Sequence, residues 1–208
     1  MQSYSSWMEL ILIRHGLPVS KVSEDGAPAD PPLSEVGRAQ AEAVGQWLAE
    51  ESIDRIIVSP LRRAQETAAP LARLLGVEPE IEPRIAEYDR ESDTYIPLEE
   101  LRELDYEAWR DFMRRGYPEG LDLESFRHGV VTACDEVIAE NPGRRVALVC
   151  HGGVINAWAA HVIGLGFKLF FNPGYTSINR FLASREGICS VGSLGEVAHL
   201  RAKTSGPA

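Results

Sequence analysis

The stretch ELILIRHGLP, residues 9–18, places an aliphatic run directly before an arginine, a histidine and a glycine. The four consecutive aliphatic residues from Leu10 to Ile13 are typical of a strand that is buried on both faces, as in a parallel sheet. Ligands of such sheets collect outside the carboxyl ends of the strands. The run therefore predicts a buried strand that delivers Arg14 and His15 to a ligand-binding edge.

Two further apolar runs end in polar clusters in the same way. DRIIVSP, residues 54–60, precedes Arg62 and Arg63, and RRVALVCHGG, residues 144–153, ends in His151 and two glycines. Helical patterns separate the three runs, and strands that alternate with helices indicate an α/β fold with a largely parallel sheet. If the three strands are parallel neighbours, two histidines and several arginines meet in one crevice.

The segments between and after the strands carry their own boundary signals. Ser34 is expected to cap a helix that runs to about Glu51, and Gly76 to end a helix that begins near Pro60. Pro70 lies inside that second helix and is expected to kink or break it. Further helices are expected over residues 97–115, 122–140 and 154–163, and strands at a sheet edge over 175–184 and 196–202.

Chain length, net charge and cysteine content argue against several classes of protein. A chain of 208 residues fits one domain, and its formal net charge of −10 argues against a nucleic-acid or membrane-surface binder, which would carry a basic stripe. A few converging arginines could still bind a small anion. Cys134, Cys150 and Cys189 are an odd number without metal-type spacing, which favours a reduced compartment. With no signal peptide and no apolar run of about 20 residues, we expect a cytoplasmic protein.

Three motifs in a fixed order make the chain resemble the histidine phosphatase superfamily, the phosphoglycerate-mutase-like group. They are LIRHG at residues 12–16, SPLRRAQETA at 59–68 and ALVCHGGVINA at 147–157, with a glutamate between the second and the third. The resemblance runs from about residue 8 to 200, and three spaced motifs on the right types of element are a specific signal. It implies a single domain, residues 1–208: a three-layer sandwich with a mostly parallel central sheet flanked by helices, and a helical lid insertion at about 88–128.

The resemblance also implies a role for each polar side chain of the motifs. His15 would be the nucleophile that forms a phosphohistidine, and Arg14, Arg63 and His151 would bind the phosphoryl oxygens. Planar guanidinium forks suit that task better than lysine. Arg63 is preferred to Arg62 because it directly precedes the Ala-x-x-Thr of the motif. Gly16 is expected to let phosphate approach the backbone. No metal ion and no cofactor are expected.

The proton donor is left open between two carboxylates. Glu87, in PRIAEYD, stands where the resemblance places its acid and base, but the residues that follow it differ from the common family pattern, so Asp89 stays the alternative. Cys150 precedes His151 on a strand, so their side chains should point to opposite faces, and Cys150 is interpreted as a core residue. The remaining histidines, His128, His161 and His199, lack a motif and are interpreted as structural.

The sequence after RHG favours hydrolysis over isomerisation. LPVS and a loop of Pro, Ala and Asp stand where cofactor-dependent mutases of the family carry a longer pattern. We therefore expect a metal-independent phosphomonoesterase of the histidine acid phosphatase type that acts on a small phosphorylated metabolite. A mutase and a non-catalytic phosphate-binding relative are the alternatives, and a homodimer is left open. Residues 88–128 hold twelve acidic residues and six arginines, which should disfavour polyanionic substrates. Besides Tyr88, the aromatic residues of this segment could form an apolar wall or pack in the core: Tyr95, Tyr106, Trp109, Phe112, Tyr117 and Phe126.

Overall fold

The structure, a computed structural model, describes residues 7–115, 121–166 and 168–201. Among these residues no helix is long and apolar enough to cross a membrane. The strands are β1 (Met8–Arg14), β2 (Lys21–Val22), β3 (Arg55–Val58), β4 (Glu80–Ile81), β5 (Thr94–Tyr95), β6 (Arg145–Cys150), β7 (Ile178–Ala183) and β8 (Cys189–Glu196). The helices are α1 (Glu35–Ala49), α2 (Arg62–Leu75), α3 (Leu98–Leu104), α4 (Tyr106–Arg115), α5 (Leu123–Glu140) and α6 (Gly152–Val162).

The central sheet has the strand order β4-β3-β6-β1-β7-β8. β4, β3, β6 and β1 are parallel, and β7 and β8 extend the sheet by antiparallel pairing. The register sets Arg14 opposite Cys150 and Val58 opposite Val149, so β1, β3 and β6 end nearly level with one another. The prediction that the three motif-bearing strands are parallel neighbours is confirmed.

Helices cover both faces of this sheet. Leu10 and Leu12 of β1 belong to a core shared with α5 and α6, whereas Ile11 and Ile13 belong to a second core shared with α1 and α2. Alternate residues of a strand point to opposite faces, so a continuous aliphatic run serves both cores at once. This arrangement is the predicted three-layer sandwich.

Gly16 has a structural role that the sequence analysis did not predict. A Cβ on Gly16 would lie 2.6 Å from the carbonyl oxygen of Gly37, and a Cβ on Gly37 would lie 2.0 Å from the carbonyl oxygen of Leu17. The Gly16 amide donates to Thr67 Oγ1 at 2.9 Å. The glycine therefore lets α1 cross closely over the chain that leaves β1, and this crossing fixes the backbone directly after His15.

Several boundaries differ from the prediction. Ser34 caps α1 through the amide of Gly37 and Gly76 ends α2 in the left-handed region, both as expected, but α2 begins at Arg62 rather than near Pro60. Pro70 does not end α2, which continues to Leu75, and Pro70 lies so close to Gly45 of α1 that a Cβ on Gly45 would come within 3.0 Å of its Cβ. Residues 198–200 form a short 3₁₀ turn instead of a strand, and the edge strand is Cys189–Glu196.

Candidate active site

The imidazole of His15 is held in one tautomer by the backbone. Its Nδ1 lies 2.8 Å from the carbonyl oxygen of Gly16, and a carbonyl oxygen can only accept a hydrogen bond. Nδ1 therefore carries the proton of the neutral ring, and Nε2 keeps its lone pair. The His15 amide also donates to the carbonyl of Cys150 at 2.9 Å, which ties the end of β1 to β6. The ring is thus oriented by the Gly16 carbonyl, and the backbone that carries it is tied to the neighbouring strand.

Three causes lower the pKa of His15 well below its ordinary value of 6.5. Burial is the largest, since the side chain is 2 % exposed, and the positive charges of Arg63 and Arg14 follow. The hydrogen bond to Gly16 opposes them but does not reverse the direction. His15 is therefore neutral near pH 7, the state in which an imidazole nitrogen is a nucleophile.

Arg14 is fixed by the segment that precedes β7. Its Nη1 donates to the carbonyl of Pro173 at 2.6 Å, and its guanidinium lies 4.1 Å from the ring centroid of Tyr175. Tyr175 also contacts His15, with 5.7 Å between the ring centroids. The buried Arg14 Nε has no hydrogen-bond partner among the described residues. Arg14 thus presents a positioned, unused donor beside His15.

Arg63 lies in the first turn of α2 and is 1 % exposed. Its guanidinium nitrogens lie 3.9 Å from Asp30 and 3.8 Å from Asp89, and its Cζ lies 4.6 Å from the ring centroid of Tyr95. Within the described part of the chain its buried Nε is unpartnered as well. Arg62 instead faces solvent and pairs with Glu66 on its own helix, so Arg63 is the one of the two that lines the cavity.

His151 lies behind His15, with 5.1 Å between the ring centroids. It directly follows β6, and its Nε2 is 2.7 Å from the hydroxyl of Ser59 at the end of β3. If the hydroxyl donates, the neutral ring carries its proton on Nδ1, a buried nitrogen without a partner in the described residues. Burial and the charges of Arg63, His15 and Arg14 lower the pKa of His151 well below 6.5. Cys150 is fully buried in the core, as predicted.

Glu87 reaches the N-terminus of α6. Its Oε2 accepts the amide proton of Gly153 at 2.9 Å, and its Oε1 accepts that of Tyr88 at 3.1 Å. Burial, followed by the nearby charge of Asp89, raises the pKa of Glu87 to about 7 despite these hydrogen bonds. Burial also raises the pKa of Asp89. A carboxyl group that titrates near neutral pH can both give and take a proton.

These side chains meet beside a cavity of about 750 Å³. Arg14, His15, Arg63, Glu87 and Asp89 all line it, and His151 lies directly behind them. The structure therefore brings together every residue that the sequence analysis placed in the site. His128 and His161 are exposed elsewhere, whereas His199 is buried against Thr176.

The aromatic residues that were predicted to form an apolar wall lie in different places. Tyr95 and Phe112 line the cavity, Tyr106 stacks on Trp109 outside it, and Phe126 packs edge-on against Tyr88. Tyr117 lies outside the described residues.

Sequence reasoning missed three residues that position the site. Ser59 opens the second motif, so its place beside a strand end was a usable signal. Asp30 lies 3.9 Å from Arg63 and also accepts the amide of Arg62, but it stands in an irregular loop. Tyr175 comes from a part of the chain that reaches His15 only through the pairing of β7 with β1, which no local pattern reveals.

Comparison with known proteins identifies the family. A family model described as the histidine phosphatase superfamily (branch 1) matches residues 10–192. The chain is 30 % identical over 164 residues to the probable phosphoglycerate mutase GpmB of Yersinia enterocolitica, covering 76 % of each protein. It is 28 % identical over 215 residues to a protein of Schizosaccharomyces pombe named as a probable phosphatase, covering 96 % of this chain and 98 % of that one.

A solved structure shares the fold. The native structure of mycobacterial glucosyl-3-phosphoglycerate phosphatase superposes with a TM-score of 0.72 at 23 % identity, covering 92 % of this chain and 100 % of that one. Since one family model spans nearly the whole described chain, the protein belongs to the histidine phosphatase superfamily, branch 1.

Proposed function

We propose that this chain is a phosphomonoesterase that works through a phosphohistidine on His15. The observation that carries the proposal is the hydrogen bond from His15 Nδ1 to the Gly16 carbonyl, because it leaves the lone pair on Nε2 of a buried, neutral ring. Two arginines, each with a buried Nε that has no partner among the residues described, line the same cavity. A nucleophile beside two fixed cations is the arrangement that transfer of a phosphoryl group needs.

The reaction divides into two half-reactions. In the first, Nε2 of His15 attacks phosphorus, the ester P–O bond breaks, and Glu87 gives its proton to the leaving oxygen. In the second, water attacks the phosphohistidine, Glu87 takes a proton from that water, and the P–N bond breaks with its electron pair returning to Nε2. The pKa of about 7 for Glu87 suits both directions of transfer. Asp89, which lies beside Arg63, is the alternative proton donor.

Hydrogen-bond donors of the protein would stabilise the negative charge that develops on the phosphoryl oxygens. Arg14 and Arg63 supply guanidinium groups, and His151 supplies Nδ1–H when Ser59 donates to its Nε2. Positioned donors in a water-poor site stabilise a transition state because they need no reorganisation during the reaction. We include no metal ion in this scheme. Residues 1–208 act as one domain, and the segment 88–128 acts as a lid over the cavity.

Hydrolysis and isomerisation are distinguished by their products. The relative named as a phosphatase matches nearly the full length of both chains, which favours hydrolysis, whereas the relative named as a mutase keeps the second reaction under consideration. With p-nitrophenyl phosphate and 3-phosphoglycerate as substrates, we expect release of inorganic phosphate in proportion to alcohol. An isomerised phosphoester without inorganic phosphate would identify a mutase. Binding of phosphate without any turnover would identify a non-catalytic relative.

A further inference from the structure

The cavity is lined both by charged side chains and by many apolar ones. Arg14, His15, Arg63 and Glu87 belong to the charged group, and the scheme above uses all four of them. A volume of about 750 Å³ is within the range of sites that hold drug-sized ligands and exceeds the need of a phosphoryl group. The remaining space must therefore receive the organic part of the substrate.

One wall of that space comes from the segment around α3 and α4. Ile96, Leu98, Leu101, Phe112 and Leu123 line it, and each of them is half-buried rather than enclosed in a core. Apolar side chains that end at an open cavity gain stability when a ligand covers them, because water is removed from their surface. This wall is thus a surface that favours an apolar neighbour.

A second wall is formed by Leu169, Phe170 and Phe171. Asn156 of α6, which is fully buried, fixes it: Oδ1 accepts the amide of Phe170 at 3.0 Å, and Nδ2 donates to the carbonyl of Phe171 at 3.1 Å. A wall tied to a core helix is present before the ligand arrives, so little ordering cost opposes binding. The phosphate-binding end and this wall are joined through the same helix.

Three of the polar side chains that line the cavity, Ser92, Thr94 and Asn156, already have hydrogen-bond partners within the protein. Ser92 donates to the Thr94 carbonyl at 2.9 Å and accepts the Thr94 amide, and the Thr94 hydroxyl donates to Asp93 at 3.0 Å. Asn156 is occupied by the wall that it holds. A polyhydroxylated group placed beside these three side chains would lose water and gain few new hydrogen bonds from them, which costs affinity.

We propose that the substrate is a phosphomonoester with a single phosphate and an apolar organic group, an alkyl, aryl or prenyl chain, that lies between these two walls. The proposal rests on the function proposed above and names its substrate class. Arg114 and Lys168 also line the cavity, but both are exposed and solvated, so a second anionic group would gain little from them. The organic group, and not a second charge, is what the cavity selects.

The direct test is a series of n-alkyl phosphates from ethyl to octyl, compared with glycerol phosphate, glucose 6-phosphate and fructose 1,6-bisphosphate. We expect kcat/KM to rise by about fourfold for each methylene that becomes buried. A flat or falling series, or a higher kcat/KM for any of the three polar phosphates than for octyl phosphate, would overturn the proposal.

A matched pair of variants locates the effect in the cavity. Leu101 and Leu104 lie on the same face of α3 one turn apart in sequence, but Leu101 lines the cavity whereas Leu104 is 68 % exposed. Leu101→Gln should lower the ratio of kcat/KM for octyl over ethyl phosphate by about tenfold, and Leu104→Gln should leave that ratio unchanged. An equal effect of the two substitutions would mean that the wall does not contact the alkyl group of the substrate.

Binding separates the substrate class from the catalytic function. The dissociation constants of n-alkylphosphonates, which cannot be hydrolysed, should fall with chain length for the wild-type protein. If no ester is hydrolysed but the phosphonates follow this order, the proposed reaction fails and the apolar site stands. If esters are hydrolysed but ethyl- and octylphosphonate bind equally, the reaction stands and the apolar site fails.

Discussion

Gly153 donates its amide proton to Glu87 Oε2 over 2.9 Å, and the contact requires that residue 153 has no side chain. A Cβ built on Gly153 would lie 2.2 Å from Glu87 Oε1 and 2.8 Å from a ring carbon of Tyr88. Because Gly153, the second glycine of the HGG motif, has no side chain, the Glu87 carboxylate can occupy the space beside it. It links the acid, which comes from an irregular segment, to the helix that follows His151.

Replacing Gly153 by alanine should displace Glu87 and slow the reaction. Because the carboxylate cannot share its position with a methyl group, we expect kcat for an alkyl phosphate to fall by about a hundredfold, the usual scale of general acid–base catalysis. Gly129→Ala in α5 is the matched control, since its nearest neighbour is Arg84 Cβ at 3.9 Å and helical alanine is favoured. Equal kcat for Gly153→Ala and wild type would contradict this placement of Glu87.

The pH dependence should report on Glu87 and Asp89 together. The charge of Asp89 raises the pKa of Glu87, so Asp89→Asn should lower that pKa. Protonation of an alkoxide leaving group requires protonated Glu87, so the fall of kcat/KM at alkaline pH should begin at a lower pH in this variant. The measurement is the pH profile of kcat/KM for an alkyl phosphate, with Glu91→Gln, an exposed neighbour, as the control. A profile that stays in place would assign the proton transfer to another group.

His199 should position Tyr175 from a distance. Thr176 has a φ of 55°, a left-handed conformation that costs a threonine roughly 1–2 kcal/mol. Its hydroxyl donates to the Tyr175 carbonyl at 2.8 Å, and so it accepts from His199 Nε2 at 3.0 Å. Loss of the hydrogen bond from His199 should let the backbone at Thr176 relax and move the Tyr175 ring away from Arg14.

We therefore expect His199→Ala to weaken inhibition by inorganic phosphate by about fivefold, the scale of one hydrogen bond. His199→Gln, whose amide can donate in place of Nε2, should restore most of it, and His161→Ala, at an exposed site, should have no effect. A loss of thermal stability in His199→Ala with unchanged phosphate inhibition would show a role in folding alone.

Removal of metal ions should leave turnover unchanged. The scheme assigns the phosphoryl oxygens to Arg14, Arg63 and His151, so kcat for p-nitrophenyl phosphate should be the same after exhaustive treatment with EDTA and after addition of Mg²⁺. Loss of activity on chelation, with recovery on addition of one divalent ion, would require a different account of the charge stabilisation.

The strand ends could be predicted from the sequence because their signals are local. An aliphatic run buried on both faces is typical of a strand in a parallel sheet, and the carboxyl ends of neighbouring parallel strands bring Arg14 and His151 to one edge. Ser34 and Gly76 are equally local, since each supplies a backbone partner or a conformation at one helix end. Arg63 could be placed for the same reason, at the first turn of the helix that follows a buried strand.

The features that were missed depend on residues distant in sequence. Pro70 stays inside α2 because Gly45 of another helix makes room for it, and Gly16 is required by the crossing of Gly37. Residues 198–200 form a 3₁₀ turn in which His199 bonds to Thr176, a contact that the alternation in their own sequence does not reveal. The preference for Glu87 over Asp89 as the proton donor also depends on a tertiary contact, the hydrogen bond from the Gly153 amide to Glu87.

The most direct test of the account is to trap and locate the phosphorylated residue. With ³²P-labelled p-nitrophenyl phosphate, whose leaving group needs little protonation, Glu87→Gln should accumulate label because the second half-reaction lacks its base. Rapid quench should show an acid-labile, base-stable protein phosphate on Nε2 of His15, and His15→Ala should show none. Label that persists in His15→Ala, or label on any other residue of the wild-type protein, would contradict the central claim.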